Sequence, residues 1–255
     1  MLSTLRGAWK VPELRKRILF TLFMVIIFRV GNFIAVPGID TSKLTELTGS
    51  GSLLGFYDLL SGGAFSRFSI FAMGVIPFIN SSIIMQLLTV AVPRLEQLSK
   101  EGEEGRKKIQ EYTRYASIPL GVIQGFSIYA LISRAGALVE PGNKLSIFMI
   151  IFTVTTASTF LMWLGDKITE HGIGNGISLI IFVNIISRFP SAVSGMLKLQ
   201  EVEIVNFVET IGFIAVIILL FVAVVAMSLS ERRIPIQYAG KTNAGRMYKG
   251  QSTHI

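Results

Sequence analysis

Apolar residues gather in six runs of membrane-spanning length: Ile18 to Val36, Phe68 to Val92, Tyr115 to Ser133, Leu145 to Leu164, Ile177 to Leu197 and Asn206 to Leu229. A helix needs roughly 20 mainly apolar residues to cross a bilayer core, so the pattern predicts an all-α polytopic membrane protein with six transmembrane helices. The first run is too long for the apolar region of a signal peptide. Ala35-Val36-Pro37 also offers no small-x-small cleavage site, so Met1 to Arg17 is expected to stay on the mature chain. Two connecting stretches depart from the simple scheme. Pro37 to Arg67 contains the short apolar piece Leu53 to Leu60 followed by Ser61-Gly62-Gly63. A piece this short cannot cross a bilayer, and reads either as re-entrant or as an external helix lying on the membrane surface. The tail from Ser230 has basic residues and turn formers but no apolar period.

Composition narrows the class. The 255 residues are 51% hydrophobic and 16% charged, with mean hydropathy +0.61. Soluble domains carry charge on about a quarter of their residues, so neither a soluble globule nor a disordered chain fits. The absence of cysteine excludes disulfides, a thiolate nucleophile and Cys-ligated zinc, and two histidines are too few for most His-based metal sites.

Charge gives the direction. The net charge is +8, and most of the 24 Lys and Arg fall in three places. These are the N-terminal segment to Arg17, the loop with Arg94, Lys100 and Arg106 to Lys108, and the tail with Arg232, Arg233, Lys241, Arg246 and Lys249. An even number of spans with the N-terminus inside makes all three cytoplasmic, as positively charged loops prefer. The external stretches then hold only Lys43, Arg67, Arg134, Lys144 and Lys198.

Candidate chemistry is sparse. His171-Gly172-Ile173-Gly174-Asn175-Gly176 has the spacing G-x-G-x-G without a preceding strand, so it reads as a tight cytoplasmic turn that starts the fifth span rather than as a dinucleotide fingerprint. Asp166, Glu170 and His171 could hold a metal or serve as acid and base, but solvated surface is the expected reading. The run Ser99 to Lys108 mixes both signs and is expected to be a solvated hairpin. Asn80 and Gln86 in the second span should face protein or a watery path. The hydroxyls of Thr153, Thr155, Thr156, Ser158 and Thr159 suit close helix packing. Arg29 and Arg188 lie toward the outer ends of their spans and are expected to snorkel to the interface. The basic tail suits an acidic partner, whether lipid headgroup, RNA phosphate or protein.

Four segments carry a family resemblance: Ser69 to Leu88 (SIFAMGVIPFINSSIIMQLL), Trp163 to Ser178 (WLGDKITEHGIGNGIS), Arg29 to Asp40 (RVGNFIAVPGID), and Glu231 to Tyr238 (ERRIPIQY) with Gly245-Arg246 and Gln251 to Ile255. Together they resemble the SecY family, the central subunit of the protein-conducting channel. The resemblance implies half of a ten-helix inverted-repeat channel, the N-terminal five spans plus a sixth, ending within the following loop. It implies a cytoplasmic segment over 1–17, spans one to five over 18–197, the sixth span with its preceding external loop over 198–229, and a partner-docking loop over 230–255.

By that resemblance Val75, Ile79, Ile181 and Ile185 correspond to an apolar pore ring, each pair spaced i, i+4 on one helix face. The segment near 54–66 (Leu54, Gly55, Phe56, Tyr57, Asp58, Leu59, Leu60, Ser61, Gly62 and Gly63 foremost) falls where the family has a re-entrant plug helix. Gly62-Gly63 would supply a flexible connection for displacement. Gln86 is a candidate lateral-gate residue, and Arg246, with Arg232 and Arg233, matches the partner-docking position. The implied function is passage of unfolded secretory chains across, and of membrane proteins into, the bacterial plasma membrane. The implied partners are SecE and SecG, the SecA ATPase or the ribosome as energy source, and anionic lipids. No cofactor is expected. The other class open to such a chain, an inverted-repeat solute or ion transporter, would want membrane-buried acids, whereas Asp and Glu lie in loops or near span ends here. An intramembrane hydrolase would need a buried base, yet neither His171 nor His254 lies inside a span.

Overall fold

The computed structural model describes residues 11–47, 55, 58, 61–139, 143–201, 207–230, 235–237, 242–243, 246–247 and 252–254. The chain divides into two compact units, Met1–Ala192 and Val193–Ile255. In the first unit, helix α1 (Pro12–Gly31) opens with proline in its first turn, carries Glu13 there and closes near Arg29, each suited to the helix dipole. A short α2 (Thr41–Leu47) follows. The backbone between α1 and α2 is pinned from two sides. The Val36 N–H donates to the Phe68 carbonyl at 2.9 Å, and the Asp40 N–H donates to the Ala137 carbonyl at 2.8 Å.

The second run departs from expectation. Instead of a helix from Phe68, residues 61–75 form successive turns, with Phe68 at φ 41° and Gly74 at φ 56°, and helix α3 covers only Ile76–Ala91. Pro77 explains the start, because its missing N–H costs nothing in the first turn. Pro93 explains the end: it holds Val92 extended, and α4 (Pro93–Lys100) leaves α3 at a bend of 99°. The expected hairpin at Ser99 to Lys108 is the end of α4, a turn at Gly102 with φ 82°, and the start of α5 (Glu103–Arg134). Helix α6 (Lys144–His171) and the part of α7 (Gly176–Glu201) up to Ala192 complete the unit's helical framework.

Helix α6 sits centrally. Its Ile150 and Val154 join one apolar cluster with Phe65, Phe68, Met73 and Ile132, while Leu161, Leu164 and Ile168 join a second with Phe28, Phe71, Val75 and Ile180. As expected, the α6 hydroxyls serve packing. The Thr155 side chain lies where Cβ atoms at Gly121 and Gly125 of α5 would meet it, at 3.3 and 3.4 Å. This is the small-x-x-x-small contact that lets membrane helices approach without a hydrophobic driving force between them. Ser158 donates to the Gly74 carbonyl at 2.7 Å, and Ser81 of α3 donates to the Thr113 carbonyl of α5 at 2.7 Å.

The second unit contains α8 (Phe207–Ser228) and two antiparallel strand pairs. Strand β1 (Pro235–Gln237) pairs with β4 (Ser252–His254), and between them in sequence β2 (Thr242–Asn243) pairs with β3 (Arg246–Met247). The helical class therefore holds, with short strands added in the aperiodic tail. Among the described residues, four helices are long and apolar enough to cross a membrane: α5, α6, α7 over Gly176–Gly195, and α8 over Thr210–Ser228. Counting the bent α3–α4 pair as one span makes five. Helix α1 is long enough, but Glu13, Arg15, Lys16, Arg17 and Arg29 lower its apolar content, so the expected six spans are not all met by this measure.

Candidate functional site

The residues expected to form the apolar ring come partly together. Val75, one residue ahead of α3, is buried in the second apolar cluster, and Ile79 and Ile181 pack against that cluster. The Val75 carbonyl accepts from the Ile79 N–H at 3.1 Å, so the pair shares a helix face although Val75 stands outside the helix. Ile185, one turn beyond Ile181 on α7, is 52% exposed and is not part of the cluster.

Beside this patch the chain folds back on itself. Of the residues expected to form the plug, Leu54, Phe56, Tyr57, Leu59 and Leu60 lie outside the described residues, while Gly55, Asp58 and Ser61 to Gly63 are described. The turn is built around Asp58. Its carbonyl accepts from the Gly63 N–H at 2.9 Å and the Ser61 hydroxyl at 3.0 Å, and its Oδ1 accepts from the Ser66 N–H at 2.7 Å. Gly62 and Gly63 have φ of 67° and 88°, in the region that favours glycine. They also permit close approach. A Cβ at Gly62 would stand 2.8 Å from Asn184 Oδ1, and one at Gly63 would stand 2.5 Å from Arg188 Nη2. The pair thus docks the loop on α7, a role that flexibility alone does not convey. Asn184 is buried and accepts from Asn32 Nδ2 at 3.3 Å, tying the end of α1 to the same place.

Arg188 does not behave as the snorkelling residue its position suggests. Its guanidinium forms an ion pair with Asp58 and donates to the Ser66 hydroxyl at 3.3 Å. The folded-back loop brings a carboxylate within reach, and a paired charge needs no exit to the interface. Sequence reading missed this pair. The available signal was one acid in a short apolar piece and one base in a span, opposite charges that each need a partner.

A second set of polar residues gathers around a cavity beside α3, α5 and α6. The cavity, of about 390 Å³, is lined by Gln86, Ser82 and Met85 of α3, Arg106 and Gln110 of α5, and Asp166 of α6, among others. Gln86 thus meets a cavity of mixed lining, in which Phe78, Ile109 and Ile177 stand beside the polar groups. Asp166 is not the solvated residue expected: it pairs with Arg114 at 2.9 Å, its side chain 16% exposed, whereas Glu170 and His171 are exposed. Among the described residues no group of three or more His, Cys, Asp or Glu is placed to hold a metal. The glycine-rich turn does start α7, with Gly174 at φ 70° and the Asn175 side chain accepting from the Ser178 N–H at 3.1 Å. Thr21 of α1 accepts from the Ile173 N–H at 3.1 Å and holds the turn in place. In the tail, Arg246 stands opposite Asn243 in the β2–β3 pair, while Arg232 and Arg233 lie outside the described residues.

Comparison with known proteins gives this arrangement its context. The family model described as SecY matches residues 69–255. The chain belongs to the SecY family. The protein translocase subunit SecY of Thermus thermophilus is 43% identical, the match covering 100% of this chain and 60% of the relative. That of Escherichia coli K12 is 39% identical over 95% of this chain and 56% of the relative. The chain thus spans about 60% of the length of the curated SecY relatives it matches. Among solved structures, one described as a protein conducting channel superposes with TM-score 0.60 at 20% identity, covering 94% of this chain and 52% of the other. Sec61 in a canine ribosome–channel complex superposes with the same score and identity over 87% of this chain. These likenesses establish a shared fold.

Proposed function

We propose that this chain supplies the N-terminal five spans and the sixth of a protein-conducting channel in a bacterial plasma membrane. The channel passes unfolded secretory chains across the bilayer and releases membrane proteins into it. The observation that carries the reading is the apolar patch of Val75, Ile79 and Ile181 beside the loop docked through Gly62 and Gly63. A ring of aliphatic side chains excludes ions because water is unstable between close apolar surfaces, and it yields around a passing chain without selecting charge. Exposed Ile185 is the ring member left for surfaces supplied by the length of channel that this chain does not span. The segment 54–66 is the plug, and Gln86, in its cavity of mixed lining, is a lateral-gate residue.

The channel is passive, and its energy comes from SecA or the ribosome docking on cytoplasmic loops. Arg246 near a hairpin tip, with Arg232 and Arg233, supplies the basic docking surface. SecE and SecG are the companion subunits, and anionic lipids meet the remaining cytoplasmic basic residues. The test uses a channel completed to the length of the SecY relatives and reconstituted in planar bilayers. Ile79→Asn with Ile181→Asn should wet the constriction and raise resting ion conductance at least about tenfold over the parent. Normal closure together with lost thermal stability would assign these residues to helix packing and remove them from the ring.

A further inference from the structure

We propose that the Asp58–Arg188 ion pair is a latch that sets how readily the folded-back loop leaves α7. The inference rests on reading 54–66 as the plug. One carboxylate ties the loop in two directions: Oδ2 meets the Arg188 guanidinium, and Oδ1 accepts from the Ser66 N–H at 2.7 Å. The same guanidinium donates to the Ser66 hydroxyl at 3.3 Å, so Arg188 grips both ends of the turn that Gly62 and Gly63 bring against it. Burial is uneven. The Asp58 side chain is 9% exposed and that of Arg188 31%. Removing the Arg188 charge leaves the buried Asp58 carboxylate without its counterion, where a lone charge is costly. The latch also sits on the helix of the ring, since Arg188 follows Ile181 and Asn184 by seven and four residues and shares their side of α7.

The pair is openable because its contacts are polar and the Arg188 side chain is partly exposed, so water takes the place of each bond as the loop departs. Arg188 is therefore a positioning residue for the plug rather than part of the constriction.

The cysteine-free chain allows a direct test in the channel completed to relatives' length and reconstituted in proteoliposomes. Ala64, 1% exposed within the docked turn, is changed to cysteine, and labelling by a membrane-impermeant maleimide reads loop departure. Arg188→Gln and Asp58→Asn should each speed labelling about tenfold, the change expected when the ion pair is broken. Arg188→Lys, which keeps the charge, should stay within about threefold of the parent. Because the two residues act as one unit, the double variant Asp58→Asn with Arg188→Gln should label no faster than either single one. Parent-like labelling in both single variants, or a double variant that multiplies the two effects, would overturn the latch. Ion conductance of the same samples separates this result from the plug reading. Faster labelling with unchanged conductance keeps the latch and removes the plug's part in closure. A leak from Ile79→Asn with unchanged labelling in Arg188→Gln keeps the ring and removes the latch.

Discussion

Two places in the first unit use glycine to bring backbone close to a neighbouring helix, and they differ in what the glycine meets. Along the α5–α6 seam, Gly121 and Gly125 face the Thr155 side chain and apolar atoms of Ile151, Val154 and Met73. At the loop–α7 junction, Gly62 and Gly63 face the Asn184 amide and the Arg188 guanidinium. The backbones differ, since Gly121 and Gly125 are helical and four residues apart whereas Gly62 and Gly63 are adjacent with φ of 67° and 88°. The atoms opposite differ too. A seam of close dispersion contacts loses packing when it opens, because lipid chains fill the gap less closely than interdigitated helices do. A polar junction exchanges its hydrogen bonds for water at a much smaller net cost. On the plug proposal, the first contact belongs to the permanent framework and the second to the part proposed to leave α7.

Overfilling the seam is the strongest way to break that comparison. A Cβ at Gly121 already stands 3.3 Å from Thr155 Cγ2, so Gly121→Leu forces α5 and α6 apart. A loss of about 1–3 kcal/mol is expected, read as a lower thermal midpoint and a lower membrane level. Arg188→Gln should leave both near the parent. Equal losses in the two variants would show that the loop junction is as much framework as the seam, and the distinction would fail.

The same contrast explains what could be read from sequence. The third and fourth spans were legible as Tyr115 to Ser133 and Leu145 to Leu164 because long apolar runs have few other structures open to them. The packing role of Thr155 and Ser158 was legible too, since small hydroxylated residues let membrane helices approach closely. The second span was misjudged at its start. Phe68 to Val75 is as apolar as the helix after it, and periodicity does not separate a buried turn from a buried helix. What breaks the helix there is backbone conformation, at Phe68 and Gly74, with Pro77 setting where it can resume. The start of α5 from Glu103 was hidden for the opposite reason, because an exposed charged helix carries no apolar stripe. The site divides likewise. The Val75–Ile79 and Ile181–Ile185 spacings were visible, while the Asp58–Arg188 and Arg114–Asp166 pairs are long-range contacts that only the fold brings together.

A smaller effect is expected where the framework itself uses a hydrogen bond. Ser158, buried in α6, donates to the Gly74 carbonyl at 2.7 Å, and it fixes the turn that precedes α3. Ser158→Ala leaves that carbonyl without its donor in a dry place and should cost about 1–2 kcal/mol. Labelling at residue 64 should not change, because the bond holds framework to framework. Faster labelling in Ser158→Ala would extend the moving part back into the turn at Gly74 and redraw its boundary.

The smallest effect sharpens what makes the loop's ion pair different. Lys100 and Glu96 on α4 pair at 2.6 Å with an i, i+4 spacing, but their side chains are 71% and 48% exposed. Water already solvates both charges, and holding two long side chains in one geometry costs entropy that offsets the attraction. Lys100→Gln should therefore change stability by no more than about 0.5 kcal/mol and leave conductance and labelling untouched. Pro93 and the extended Val92 set the 99° bend ahead of α4, so the bend does not depend on this pair. A loss above about 1 kcal/mol would mean that charge holds α4 against its neighbours. It would also mean that exposure, used here to separate the Asp58–Arg188 pair from ordinary surface pairs, does not predict what an ion pair does in this protein.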